Sequence, residues 1–297
     1  MGKIMVGISA WADAELAKSG FYPAGIDTPT ARLKYYASRF SIAEIDSNYH
    51  FFPTRRNLAL WLDNTPEGFK FNVKAFSLFT QHPTPLSSLP RTIREKYAGK
   101  INAKGNVYLH HLPEEAVDEL WSIFTGTLDA FREKGKLGAV LFQFAPWFHP
   151  EPRNYDYIGL CRDRLAKYPV AVEFQVASWL DKHREETLKF LRERSLALVC
   201  VDEPQGLKSS IPQVHEVTGP LAVVRFHGRN RENWESKEYA AGKFNYLYTE
   251  AELKECVPKI QVMAQHTEYL HLIFKNKHAD YPVKNALMMQ ELLGLTA

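Results

Sequence analysis

The feature that most constrains the fold is a regular alternation of short apolar runs with amphipathic stretches along the whole chain. Helical patterns follow most of the runs, beginning near Thr28, Thr54, Glu114, Asn154 and Lys182. The apolar runs that have the length of strands are residues 4–9, 42–48, 69–75, 139–144, 170–174, 196–202, 221–227 and 270–276. Neighbouring parallel strands require crossover connections, which are usually helices. In 297 residues, this order predicts an α/β fold, a (β/α)8 TIM barrel.

A doubly wound open sheet is the alternative, but no glycine-rich phosphate-binding pattern follows the first strand. No linker or low-complexity segment interrupts the alternation, so we expect one domain over residues 1–297. After the third strand the chain is longer than one crossover helix requires, and residues 77–112 are predicted to be an insertion and a candidate lid. Between Asp202 and Leu221 no helical pattern occurs.

The composition permits many functions and excludes a few. Hydrophobic residues make up 45% and charged residues 24% of the chain, as in ordinary globular proteins. The net charge of +3 permits an anionic ligand but does not by itself indicate nucleic acid. No signal peptide or membrane span is indicated, and the three cysteines lack zinc-site spacing. We therefore expect a cytoplasmic protein with no membrane partner and no evident cofactor; the oligomeric state stays open.

Polar side chains recur near the carboxyl ends of the predicted strands. Side chains alternate between the two faces of a strand, and the face towards the helices must be apolar. Glu44, Lys74, Glu173 and Arg225 are therefore expected to point into the barrel. The other residues with this expectation are Ser9, Asp46, Asn48, Lys70, Asn72, Gln143, Asp202, His227 and either Lys275 or Asn276. Active sites of TIM barrels form at this end, so the pattern predicts a shared polar pocket.

Several of these segments resemble the domain-of-unknown-function family 72, the YecE-like proteins. "AEIDSNYHFFPTRRNLALWLDNTPEGFKFNVKA" is similar to the family's "EINSTFYR…W…TP..F.F.VKA", "AVLFQFAPWF" to "LLFQLPPSF", "VAVEFQVASWL" to "VAVEFRHPSWF", "VVRFHGR" to "YVRFHGR" and "FKNKHADYPVKNA" to "FNNH..GYAVKNA". The resemblance implies a TIM barrel with a polar cleft but no established activity. The matching cleft positions are Asn48, Tyr49, Lys74, Gln143, Glu173, Trp179, Asp202, Arg225, His227, Gly228, Arg229, Asn276 and Asn285.

Three positions depart from the family pattern. Gln175 and Val176 stand where the family has Arg-His, and Lys275 replaces the first of two asparagines. The family's Thr-His after the third strand is shifted by one residue, to Thr80 and His82.

The first functional hypothesis is an acid–base enzyme, a hydrolase or isomerase, acting on a phosphate-bearing or other small anionic substrate. Lys74, Arg225 and Arg229 are suited to bind the anion, Glu173 or Asp202 to act as general base, and His227 as acid or base. The remaining candidates for substrate binding are Asn48, Tyr49, Gln143, Trp179, Asn276 and Asn285.

Two further hypotheses use overlapping residues. A divalent metal could be held by Glu44, Glu173, Asp202 and His227, which are suitable ligand types. A non-catalytic nucleic-acid-binding protein would use arginines and aromatic side chains in the loops at the barrel mouth. Those residues are Arg55, Arg56, Arg229 and Arg231 with Tyr49, Phe51, Trp147 and Trp234.

Overall fold

A computed structural model describes residues 1–9, 11–236 and 240–295, and in it eight parallel strands close into a barrel. The strands in the described residues are β1 (Lys3–Ser9), β2 (Ile42–Ile45), β3 (Lys70–Lys74), β4 (Thr84–Pro85), β5 (Asn106–Val107), β6 (Leu137–Gln143), β7 (Val170–Glu173), β8 (Ala197–Asp202), β9 (Leu221–Phe226) and β10 (Tyr269–Phe274). The barrel order is β1-β2-β3-β6-β7-β8-β9-β10, and β10 pairs with β1. The predicted TIM barrel is confirmed.

Helices connect most of the barrel strands. They are α1 (Ala14–Lys18), α2 (Pro29–Ala37), α3 (Arg55–Asp63), α4 (Arg91–Lys96), α5 (Glu114–Glu133), α6 (Pro152–Arg164), α7 (Arg184–Glu193), α8 (Glu250–Gln265) and α9 (Tyr281–Leu292). Thr28 and Thr54 cap α2 and α3 by accepting backbone N–H bonds, as their positions in the sequence predict. Residues 203–220, all described, contain no helix, so the connection from β8 to β9 is irregular.

Helix α8 is the main element that the sequence pattern did not indicate. It carries Pro258 in its interior, and proline removes a backbone N–H donor and usually ends or kinks a helix. A capping box at its start compensates, because Thr249 and Glu252 satisfy each other's backbone N–H groups. The boundaries of α6 and α7 each differ by two residues from the predicted starts at Asn154 and Lys182.

The insertion after β3 packs onto the outside of the barrel. It contains the short antiparallel pair β4–β5 and helix α4, and Leu89, Ile93 and Val107 from it are buried in the main hydrophobic core. The hydroxyl of Tyr97 donates a hydrogen bond of 2.8 Å to Glu119 on α5. The insertion is therefore anchored to α5 by both apolar and polar contacts.

The register of the strands sets what lies inside the barrel. Met5, Ile42 and Ile273 form an apolar cluster near the middle of the interior. Towards the amino ends of the strands, His271 and Asn72 form a hydrogen bond of 3.0 Å. The inward positions towards the carboxyl ends carry charged side chains. No helix in the described residues is long and apolar enough to span a bilayer.

Candidate active site

Arg225 lies at the centre of the charged layer and is fully buried. Its Nη1 donates to Glu173 Oε2 at 2.5 Å, and its Nη2 donates to Glu44 Oε1 at 2.5 Å. Strand β9 thereby places one guanidinium between carboxylates from β7 and β2. Charge-assisted bonds of this kind compensate for taking the charges out of water. Arg225 was predicted to bind substrate, but in the structure both of its Nη atoms donate hydrogen bonds to these two carboxylates.

The carboxylate of Glu173 also orients His227. Glu173 Oε1 accepts a hydrogen bond from Gln143 Nε2 at 2.6 Å and lies 3.1 Å from His227 Nε2. Burial opposes ionisation of Glu173, but the charges of Arg225 and His227 outweigh it and hold its pKa well below the usual value. An ionised carboxylate can only accept a hydrogen bond, so the proton of the neutral imidazole is assigned to Nε2.

The other imidazole nitrogen of His227 is left with a free lone pair. Nδ1 is buried and has no hydrogen-bond partner among the described residues. Burial lowers the pKa of His227 to about 4, so the ring is neutral at pH 7. His227 can therefore accept a proton at Nδ1, while Glu173 stabilises the imidazolium that results. The alternative role of His227 as a general acid in the resting state does not fit this protonation.

Lys74 and Lys275 are two nearly buried cations, each only 8% exposed. The Nζ of Lys74 lies 4.5 Å from the centre of the Tyr49 ring, and the Nζ of Lys275 lies 5.5 Å from that of Phe244. Within the described part of the chain, neither ammonium group forms an ion pair or hydrogen bond. Asp46 interacts electrostatically with both, but its Oδ2 is paired with Lys277 at 2.6 Å.

The open space at this end of the barrel is a cavity of about 260 Å³. Its lining includes Gln143, Glu173, Glu203, His227, Ser209, Ile211, Trp234, Lys243 and Phe244. Phe244 connects the cavity to Lys275, because it touches the cavity and stands beside the Nζ of that lysine. Polar groups of both charge signs and aromatic side chains therefore line the same cavity.

Glu203 is one of the titratable residues of this cavity that the sequence analysis missed, together with Lys243. Its side chain is buried, and Oε1 accepts a hydrogen bond of 2.6 Å from the backbone N–H of Ile211. Burial raises its pKa to about 8, and the nearby charge of Glu173 adds to the shift. The cavity therefore holds a carboxylic acid that is mostly protonated at pH 7 together with an ionised carboxylate.

Asp202 points to the opposite face, which corrects the inward orientation that we predicted for it. Val201 pairs with the inward-facing Arg225, so Asp202 shares the outer face with Phe226. Arg229 donates two hydrogen bonds to it, at 2.8 and 2.7 Å. Gln213 Nε2 and the hydroxyl of Tyr248 also donate to its carboxylate, at 2.8 and 2.7 Å. Asp202 and Arg229 satisfy each other outside the barrel interior.

Asn276 and Asn285 form part of the frame around that outer site. Asn276 Nδ2 donates to Asn285 Oδ1 at 2.8 Å and to the carbonyl oxygen of Tyr246 at 2.8 Å. Asn285 in turn binds the backbone N–H and carbonyl of Tyr248, at 3.1 and 2.8 Å. At the end of β10 it is therefore Lys275, in phase with Ile273, that faces the barrel interior.

Asn48, Trp179 and Tyr49 occupy different surroundings. Asn48 Nδ2 donates to the backbone carbonyl of Lys74 at 2.8 Å, which fixes the end of β3. Trp179 is fully buried, its indole N–H donates to the carbonyl of Phe148 at 2.6 Å, and it does not line the cavity. Tyr49 is half-buried under the ammonium group of Lys74.

Gly228 holds the chain in a conformation that the neighbouring site requires. Its φ is +94°, in the region that side chains disfavour, and a Cβ there would lie 2.8 Å from the Cβ of Tyr246. Its backbone N–H donates to the hydroxyl of Tyr248 at 2.9 Å. The turn after His227 therefore depends on glycine.

The four residues of the metal hypothesis do not form a ligand set. Arg225 pairs with Glu44 and Glu173, and Asp202 lies on the outer face, away from His227. In residues 1–9, 11–236 and 240–295, no group of three or more His, Cys, Asp or Glu side chains is arranged to hold a metal ion.

The basic residues of the nucleic-acid hypothesis are scattered. Arg229 is paired with Asp202, and Arg231 donates to the backbone carbonyl of Gln205. Arg55 and Arg56 are exposed at the start of α3. Phe51 and Trp147 are large exposed aromatic side chains.

Fold and cavity together define a TIM-barrel protein with a polar site at the carboxyl ends of its strands. The family model "Protein of unknown function DUF72" matches residues 5–297, so the chain belongs to this family and the predicted resemblance is confirmed. The UPF0759 protein YunF of Bacillus subtilis (strain 168) is 28% identical over 98% of this chain and 95% of its own length.

Crystal structures of relatives have the same fold. A DUF72 family protein from Enterococcus faecalis V583 superposes with a TM-score of 0.80 at 26% identity, covering 99% of this chain and 97% of that one. Another from Thermotoga maritima MSB8 gives a TM-score of 0.74 at 29% identity, covering 98% and 99%. Both are described only by family, so the chemistry must be argued from the site itself.

Proposed function

We propose that this protein is an acid–base enzyme, a hydrolase or isomerase, that acts on a small anionic substrate in the cavity at the carboxyl ends of the barrel strands. The observation that carries the proposal is the pair of buried lysines, Lys74 and Lys275, without ion-pair partners in the described residues. A buried ammonium group is costly unless a counter-charge compensates it, and an anionic ligand would provide that charge.

The charged layer beside the cavity, which shares Glu173 with it, favours an anion. The cations Lys74, Lys275, Lys277 and Arg225 lie close to the carboxylates of Glu44, Asp46 and Glu173. Burial raises the pKa of Glu44 despite the nearby charge of Arg225. The cluster has a positive excess, and phosphate or carboxylate groups are its natural ligands.

Two groups in the cavity supply complementary proton transfers. His227 Nδ1 accepts a proton from the substrate or from an attacking water, and Glu173 stabilises the imidazolium. Glu203, protonated at neutral pH, gives its proton to the leaving or carbonyl oxygen. Environments that push the pKa values of two cavity groups apart are the usual basis of such an acid–base pair.

The binding part of the proposal is tested by thermal unfolding with a panel of small molecules. Orthophosphate, pyrophosphate, sugar phosphates and dicarboxylates should raise the Tm of the wild type, and uncharged sugars should not. Lys74→Met should abolish the increase, while Lys189→Met, at an exposed position on α7, should retain it. Equal stabilisation of all three proteins, or of none, would refute anion binding at this site.

The catalytic part is tested with the compounds that bind. Each is incubated with the enzyme, and its conversion is followed by NMR. Glu203→Gln and His227→Gln should bind the substrate but lose turnover, because each removes one proton transfer and keeps a polar side chain. Undiminished turnover in both variants would refute the roles assigned to Glu203 and His227.

A further inference from the structure

Lys275, like Lys74, is a buried lysine whose amine has no ion-pair or hydrogen-bond partner in the described residues. It follows β10 on the inward face, in phase with Ile273, and its Nζ lies beside the cavity residue Phe244. Lys277, two residues on, forms an ion pair with Asp46.

Lys74 and Lys275 differ in what surrounds their amines. The Nζ of Lys74 lies 4.5 Å from the centre of an aromatic ring, a contact that stabilises the charged form. Lys275 is 5.5 Å from the nearest ring centre and is close to the charges of both Arg225 and Lys74. Burial lowers the pKa of both amines, but at Lys74 the opposing charge of Asp46 exceeds that of Arg225, whereas at Lys275 the charges of Arg225 and Lys74 both exceed that of Asp46 and hold the pKa well below its usual value. A lowered pKa makes the amine of Lys275 easier to deprotonate, as a lysine nucleophile requires.

We propose that Lys275 forms a covalent imine with the carbonyl carbon of a small anionic aldehyde or ketone bound in the cavity. This inference rests on the proposed function, since the same site must hold the anionic part of the substrate. Lys74 remains the charged group that binds phosphate or carboxylate, and Lys275 is the group that reacts.

The chemistry balances with groups that the cavity provides. The lone pair of Nζ attacks the carbonyl carbon, and the C=O π electrons move to oxygen, which takes a proton from Glu203. The nitrogen loses a proton to His227 Nδ1, giving a neutral carbinolamine. The protonated His227 then returns its proton to the carbinolamine oxygen, which leaves as water while the nitrogen lone pair forms C=N. The N–H proton of the resulting iminium passes to the Glu203 carboxylate, which gives the neutral imine. The net reaction joins one amine and one carbonyl compound and releases one water.

The experiment is reductive trapping of the full-length protein. Pyruvate, glyoxylate, dihydroxyacetone phosphate and glyceraldehyde 3-phosphate are each incubated with the protein and borohydride, followed by intact-mass and peptide analysis. A reacting compound should add its own mass less one oxygen atom, once per chain, on the peptide that contains Lys275. Acetone and dihydroxyacetone, which are carbonyl compounds without an anionic group, should react far less.

Lys275→Asn removes the amine and keeps a polar side chain at the same position. It should lose the adduct, while Lys189→Met, at an exposed position on α7, should form it as the wild type does. Adducts spread over surface lysines, an adduct that persists in Lys275→Asn, or no adduct with any compound would overturn the inference. Anions that raise the Tm without any adduct would refute imine formation and leave the proposed function standing. Absence of both effects would refute both.

Discussion

Replacing Glu203 by glutamine should change how the stability of the protein depends on pH. Burial raises the pKa of this carboxyl from 4.5 to about 8, so the folded protein holds a proton that the unfolded chain releases above pH 4.5. The free energy of unfolding therefore falls as pH rises through this range. Each pH unit contributes about 1.4 kcal/mol, so about 4 kcal/mol of stability is lost between pH 5 and pH 8. That is a large part of the stability of an ordinary domain.

Glutamine is a matched replacement for this measurement. Its side-chain oxygen can still accept the hydrogen bond from the backbone N–H of Ile211, and it has no proton to lose. Urea unfolding at pH 5, 6, 7 and 8 should show the wild type losing about 4 kcal/mol more than Glu203→Gln over this range. All other titrating groups are shared and cancel in the difference.

The control is Glu67→Gln, because Glu67 is an exposed residue. Its stability profile should run parallel to that of the wild type. Parallel profiles for the wild type and Glu203→Gln would refute the argument, because Glu203 would then titrate alike in the folded and unfolded states. That result would also mean that the proposed mechanism lacks its protonated acid.

Three further substitutions test the frame of the site by urea unfolding. Arg225→Met leaves the carboxylates of Glu44 and Glu173 without their cation and should lower the free energy of unfolding by about 3–5 kcal/mol. The loss should be smaller at low pH, where protonation of the carboxylates removes their repulsion. A loss below about 1 kcal/mol would contradict this reasoning. Gly228→Ala should cost more than about 1 kcal/mol, because φ is +94° and the added methyl would contact a tyrosine; an unchanged midpoint would contradict the turn geometry. Tyr248→Phe removes the hydrogen bonds of the hydroxyl to the carboxylate of Asp202 and to the backbone N–H of Gly228. It should lower the free energy of unfolding by about 1–3 kcal/mol, whereas an unchanged free energy would show that water replaces the hydroxyl.

The fold could be predicted from the sequence because its signals are local and repeated. Each barrel strand is a short apolar run, and caps such as Thr28 and Thr54 mark the helices that follow. The irregular connection between β8 and β9 was also predictable, from the lack of a helical pattern. Helix α8 was not, because Pro258 contradicts the local helix signal and the compensating cap lies nine residues earlier.

The orientation of side chains was predictable only where the strand itself distinguishes its faces. In "IAEIDSN" polar residues alternate with apolar ones, and in "VAVEF" the small Ala171 and the polar Glu173 alternate with large apolar residues; the structure places Glu44 and Glu173 inside. Strand β8 reads "ALVCVD", with apolar residues on both faces, so its phase cannot be determined from hydrophobicity. Assigning Asp202 to the interior followed from that ambiguity and hid Glu203. The register with β9, a long-range property, resolves it.

Which charges neutralise one another could not be predicted either, because that depends on distances between strands far apart in sequence. Arg225 and Lys275 both occupy inward-facing positions near the ends of their strands, and the sequence does not distinguish their surroundings. In the structure Arg225 reaches Glu44 and Glu173 with two nitrogens, so it neutralises the charges of the layer. Lys275 interacts electrostatically with the same two carboxylates and forms an ion pair with neither. The arginine that pairs with the buried acids therefore also leaves the amine of Lys275 without a partner in the described residues.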